Sequence, residues 1–195
     1  QEAEISTRKS IELNPNFVEA HSNLGIILID LGNLKEAELS IRKAIELNPN
    51  FAEGHSNLGG ILRVTGKSKE SEISYRKAIE LNPNFAEAHS MLGSILIDLG
   101  KLQEAELLIQ KAIELAPDCA KAYYSLSTLK YINKTNKTWK DKLFSDAILN
   151  NQPKKAQIDI YFARANILHK EKRYAESAQC LEIANQQKII HQPSK

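Results

Sequence analysis

The sequence predicts an all-α solenoid of helix–turn–helix repeats, and three observations carry that reading. The tetrapeptide Glu-Leu-Asn-Pro recurs at Glu12–Pro15, Glu46–Pro49 and Glu80–Pro83, and returns as Glu114–Pro117 with Ala116 in place of Asn, a period of 34 residues. Residues 17–50 agree with residues 51–84 at 23 of 34 positions and with residues 85–118 at 25 of 34. Within each unit, apolar residues follow helical spacing over two segments separated by a glycine. A unit this short cannot bury its apolar face alone, so neighbouring units stack and cover one another.

The elements follow in chain order. Residues 1–16 (QEAEISTRKSIELNPN) match residues 35–50 (KEAELSIRKAIELNPN), so the chain opens on the second half of a unit. With no initiating Met, the expectation is a fragment of a longer protein. In residues 17–50, Ala20, Leu24, Ile27, Leu28 and Leu31 form the apolar stripe of a first helix. Gly32 is its stop, since glycine tolerates the left-handed conformation at a helix carboxyl end. Ala37, Ile41, Ala44 and Ile45 form the stripe of a second helix over 34–47. Asn48-Pro49-Asn50 ends it, because proline disfavours helix in the residue before it. Asn50 is the expected cap of the following helix. Gly25 and Ala37 recur as Gly59 and Ser71, then as Gly93 and Ala105. Their lack of bulk lets the two helices of a unit approach closely. Over residues 17–118 this predicts six helices of about 11–15 residues each.

The pattern His21-x2-Leu24-Gly25-x2-Leu28…Ala37-x3-Ile41…Pro49 resembles the tetratricopeptide repeat. His stands where that family often has Trp, Leu where it often has Tyr, and Ile (or Tyr75) where it often has Phe. The resemblance covers residues 1–118. It implies a right-handed superhelix of antiparallel helix pairs, with the first helix of each pair lining a concave groove. The expected organisation is half a repeat at 1–16, three full repeats at 17–118, and a degenerate helical carboxyl-terminal region at 119–195.

That last region departs from the pattern. Residues 119–131 read as a first helix, with Tyr123, Leu126 and Leu129 near the expected places. Asn133–Thr138 then replaces the tight turn with a polar loop carrying two Asn-x-Thr sequons. Residues 139–149 read as an amphipathic helix with Trp139, Leu143, Ala147 and Ile148 on one side. Residues 155–169 and 173–187 form a further pair, in which Ala165 and Leu168 mimic a first helix and Tyr174, Ser177, Leu181 and Ala184 a second. Residues 160–177 with Ala184-Asn185 also resemble the segment that joins tetratricopeptide arrays to sulfotransferase domains. There Arg164 would more often be Leu, and Lys172 Gly. That resemblance implies a catalytic domain beyond Lys195 in the parent protein.

Composition narrows the function classes. Apolar residues are 42% and charged residues 26% of 195, with a net charge of +2. Residues 1–118 carry 12 Lys+Arg against 18 Asp+Glu, and residues 119–195 carry 14 against 6. Basic residues spread over amphipathic helices read as a solvated face. They do not interleave with aromatics on one stripe, so nucleic acid is not an expected partner. No apolar run approaches the roughly 18 residues of a membrane span. Cys119 and Cys180 read as free thiols of a reducing, cytoplasmic compartment. No glycine follows Gly100, which leaves no glycine-rich phosphate cradle after that point. His21, His55 and His89 sit on successive units rather than converging, a poor zinc set. Each His-Ser pair consists of consecutive helical residues, which do not face each other. The chain is therefore read as non-catalytic, with no cofactor and no metal.

Beside the core stripe of each first helix lies a second stripe: Glu19, Ser22, Asn23, Ile26 and Asp30, then Glu53, Ser56, Asn57 and Arg63, then Glu87, Ser90, Met91, Ser94 and Asp98, with Tyr124 joining from the next helix. The family resemblance places this stripe on the concave face. Asn23 and Asn57 look like the start of the asparagine ladder in O-linked N-acetylglucosamine transferases. An Asn amide both donates and accepts, so it grips a peptide backbone without demanding a side chain. The line Glu19, Glu53, Glu87 stands where carboxylate-clamp repeats place basic residues, so an acidic terminus would meet like charge. The leading expectation is a protein- or peptide-binding scaffold preferring neutral or basic extended segments. The alternatives are a substrate-presenting module of a sulfotransferase and a structural spacer or self-assembly repeat.

Overall fold

The computed structural model describes residues 2–129, 138–150 and 152–190. Eleven α-helices lie among them, and no strand: α1 Glu2–Leu13, α2 Val18–Asp30, α3 Leu34–Leu47, α4 Ala52–Val64, α5 Ser68–Leu81, α6 Ala86–Asp98, α7 Leu102–Leu115, α8 Ala120–Thr128, α9 Thr138–Phe144, α10 Lys154–Lys170 and α11 Tyr174–Ile190. A short 3-10 turn, Asp146–Leu149, follows α9. The chain divides into two units, Gln1–Ile95 and Leu96–Lys195. The six helices α2–α7 run 13 or 14 residues, the even-numbered ones 13 and the odd-numbered ones 14.

In the first unit the repeat signals act through the backbone. Gly32 and Gly66 end α2 and α4 at φ +77° and +78°. The residue after each donates back to the carboxyl end of the helix: Asn33 N to Leu28 O and Lys67 N to Leu62 O, both 2.8 Å. The asparagine of Glu-Leu-Asn-Pro closes the other turn. Its Oδ1 accepts the amide two residues on, at Asn16, Asn50 and Asn84 (3.1–3.2 Å). Its backbone carbonyl accepts the amide three residues on, at Phe17, Phe51 and Phe85. Asn50 is therefore not the cap of α4. That place belongs to Phe51, which has no side-chain cap bond, and the turn is held from Asn48 instead.

The core of this unit joins Leu24, Leu28, Ala37, Ile41, Leu58, Ile61 and Leu62. Ile27 is only half-buried, and Leu31 is 53% exposed at the carboxyl cap of α2, so the core stripe stops one turn earlier than its spacing predicts. Close approach of α2 and α3 depends on Gly25, where an added Cβ would lie 2.5 Å from Ile41 Cδ1. At Gly59 an added Cβ would lie 2.7 Å from the Tyr75 ring. Ser71, standing where Ala37 stands in the preceding repeat, is fully buried and donates its Oγ–H to Gly59 O at 2.6 Å.

The second unit has one continuous core, in which α7, α8, α9 and α10 contribute Ile109, Tyr123, Leu126, Trp139, Leu143 and Ile160. The expected single helix over 139–149 is broken: α9 ends at Phe144, Ser145 is extended, and Ala147 is exposed. Arg164 explains the break. Its buried guanidinium donates from Nε to Leu143 O (2.8 Å) and from an Nη to Ser145 O (2.9 Å), and it lies over the Phe144 and Tyr161 rings. Those carbonyls are the ones a continuing helix would have used. The loop with the two sequons begins in residues outside those described. In α11, Ser177 and Ala184 are buried, whereas Tyr174 and Leu181 are 58% and 39% exposed. The buried positions of α11 are thus small residues, with Cys180 and Gln187 half-buried beside them.

Candidate functional site

The first helices carry the candidate surface. In the first unit, Glu19, Asn23, Ile26 and Asp30 of α2 are exposed. On α4, Glu53 and Arg63 are exposed and Asn57 is half-buried. On α6, Glu87 is exposed, and Met91 and Ser94 are half-buried. Spacings of three and four residues put these side chains on one helical face.

Three residues of the expected stripe lie elsewhere. Ser22, Ser56 and Ser90 are 4%, 7% and 1% exposed, so they are packing residues rather than surface. The reason is visible at Ser22, where the Asn57 amide of the neighbouring first helix donates to its Oγ at 3.4 Å. This edge of α2 faces α4, and only a small side chain fits there. Asn57 is therefore partly committed to α2, while Asn23 keeps its amide at the surface. Ser94 Oγ turns back onto Ser90 O at 3.2 Å.

The recurrent histidines have a structural partner. Nε2 of His21, His55 and His89 lies 2.8, 3.0 and 2.9 Å from the carbonyl of Pro15, Pro49 and Pro83. A carbonyl only accepts, so Nε2 is the protonated nitrogen. In the second unit the Tyr123 hydroxyl makes the equivalent bond to Pro117 O at 2.9 Å. Each bond ties a first helix to the proline turn before it. Among the described residues no group of three or more His, Cys, Asp or Glu side chains is placed to hold a metal ion.

The first-helix surface of the second unit is different in character. Asp98 is exposed. Tyr124 is exposed and packs edge-on against Phe162 of α10, with ring centroids 6.5 Å apart. Lys121 occupies the register of Glu19, Glu53 and Glu87. Beside it, Asp159 is half-buried. Burial pushes its carboxyl above the usual range, and the charges of Lys121 and Lys155 oppose that shift. Sequence reasoning missed Phe162 and Asp159, because α10 is out of phase with the repeat period.

The phase is recovered from hydrogen bonds. Ser177 Oγ donates to Ala165 O at 2.9 Å, as Ser71 donates to Gly59 O. Arg173 N donates to Leu168 O, as Lys67 N donates to Leu62 O. Lys172 takes φ +62° where Gly66 takes +78°. All three correspondences are offset by 106 residues, three periods plus four.

Three family models, each described as tetratricopeptide repeat, match residues 18–51, 52–85 and 74–106. No curated protein matches the chain. Among solved structures, the chain is similar to one described as MamA, at 20% identity and TM-score 0.57, covering 95% of this chain and 86% of that one. It is also similar to YrrB, described as a TPR protein with an unusual peptide-binding site, at 20% identity and TM-score 0.62, covering 95% and 93%. A third is pilF of Pseudomonas aeruginosa, at 23% identity and TM-score 0.68, covering 87% and 76%. At these identities the likeness concerns the fold. Sequence period, turn chemistry and family match agree over residues 18–106, and those residues belong to the tetratricopeptide repeat family.

Proposed function

We propose that the chain is a non-catalytic scaffold that holds an extended segment of another protein along its first helices. One observation carries the reading: α2 and α4 present a repeated Glu-x3-Asn face (Glu19 with Asn23, Glu53 with Asn57) whose carboxylates and Asn23 amide are exposed. Asn amides bond peptide backbone in either direction, and the glutamates favour a neutral or basic segment. Ile26 adds an exposed apolar contact one turn along. The likeness to a repeat protein described as peptide-binding accords with this reading. No helix among the described residues is long and apolar enough to cross a membrane.

Titration calorimetry with matched basic and acidic peptides tests it. The basic peptide binds more tightly, and the triple substitution Glu19→Lys, Glu53→Lys and Glu87→Lys inverts the preference. Equal binding of both peptides to both proteins removes the charge-reading face from the account.

A further inference from the structure

The second helices of the first unit carry a feature that peptide binding on the first helices does not use. Ile5, Leu39 and Ile73 occupy the same repeat register on α1, α3 and α5, and each is 68% exposed. Isolated exposed apolar residues are ordinary, but this row repeats once per unit. The helices carrying it are neighbours: Arg8 pairs with Glu36 at 2.6 Å, and Lys67 pairs with Glu38 at 3.1 Å.

Charge on the same face is ordered. On α3 the residues Lys35, Leu39, Arg42 and Glu46 lie at i, i+4, i+7 and i+11, which is one helical stripe. On α5 the set is Lys69, Ile73, Arg76 and Glu80, and on α1 it includes Ile5, Arg8 and Glu12. Lys35 and Lys69 have no ion-pair partner among the described residues. Glu46 and Glu80 pair with Lys43 and Lys77 at 2.7 Å, yet their side chains stay 68% exposed. On α3 and α5 the stripe is thus basic at its amino end and acidic at its carboxyl end around Leu39 or Ile73, with Arg42 and Arg76 paired to Glu38 and Glu72 at 2.8 Å. The corresponding positions of α7 are Gln103, Leu107, Gln110 and Glu114, so the ordered charge belongs to the first unit.

We propose that this face docks on the same face of a second copy of the chain, each helix antiparallel to its own counterpart about a two-fold axis that runs along the row through Leu39. Only another array with this period matches the spacing of the row. Antiparallel alignment sets Lys35 against the partner's Glu46 and Lys69 against the partner's Glu80, and Ile5, Leu39 and Ile73 each meet their own counterparts. Parallel alignment would set like charge on like. A two-fold interface must be self-complementary in this way. Three apolar side chains fall short of the roughly 1,200 Å² of a stable interface, so the dimer is weak. Its exposed charges make it sensitive to salt.

Analytical ultracentrifugation of the full chain over a wide concentration range tests the proposal. The mass average rises from one chain towards two with concentration at low salt, and returns towards one with added salt. Leu39→Glu, at an exposed site, abolishes the rise without changing helical content. Chains with Lys35→Glu and Lys69→Glu stay monomeric alone, as do chains with Glu46→Lys and Glu80→Lys, whereas an equimolar mixture of the two dimerises. A protein monomeric at every concentration overturns the proposal. So does a dimer indifferent to Leu39→Glu, or a mixture that fails to associate. Peptide binding measured on the Leu39→Glu protein separates this result from the first-helix reading, because that surface is unchanged.

Discussion

Lys172 holds the left-handed conformation that glycine takes at Gly32, Gly66 and Gly100. A side chain there costs about 1 kcal/mol relative to glycine. Lys172→Gly should therefore raise stability by about 0.5–1 kcal/mol, read from urea unfolding. A lowered midpoint would show that the Lys172 side chain contributes more than the turn strain costs. Gly25 is the opposite case, because an added Cβ falls 2.5 Å from Ile41. Gly25→Leu should cost about 1–3 kcal/mol by overpacking. Both residues stand out in the sequence, Gly25 by keeping the glycine register and Lys172 as the place where the sulfotransferase-linked segment more often has glycine. The burial of Ser22, Ser56 and Ser90 does not. Serine is at home on a surface and in a tight helix contact alike, and only the contact of α2 with α4 decides between them.

At the scale of elements, the proline turns and the helices after them act as one joint. The carbonyls of Pro15, Pro49 and Pro83 meet a histidine, and that of Pro117 meets Tyr123. Removing one such neutral bond by His55→Ala should cost about 0.5–1.5 kcal/mol. His55→Tyr should cost less, since a tyrosine makes this bond on α8; equal losses from both substitutions would show that the bond is not what matters there. Tyr75 and Tyr123 also give a pH signature. Burial pushes both hydroxyls up to about 12 from an ordinary value of 10.0. The folded state then keeps protons that the unfolded chain loses, so stability is full below pH 10 and declines as pH rises towards 12. Tyr75→Phe should flatten part of that decline in denaturation curves taken across the range. Helix identity over 17–118 was legible because period, glycine and proline all point the same way. The break after Phe144 was not, because it depends on Arg164, twenty residues away, capturing two carbonyls.

For the molecule as a whole, repeat architecture makes stability a sum over neighbours. Deleting residues 51–84 should leave a helical protein with cooperative but weaker unfolding, and complete loss of cooperativity would point to a globular core. The carboxyl-terminal pair shows why part of the candidate site escaped sequence reasoning. Four residues beyond three periods separate it from α4–α5, so Phe162 and Asp159 fall out of phase with the stripe they correspond to. Alignment by hydrogen bonds restores them, and alignment by period does not. The central claim is that the first helices hold a partner segment through the Glu and Asn face. Amide-resolved NMR titration with a basic peptide tests it most directly. The account predicts shifts concentrated at Glu19, Asn23 and Ile26 and their counterparts on α4 and α6, with Leu39 and Ile73 unmoved. Shifts centred on the second helices, or none at saturating peptide, would contradict it.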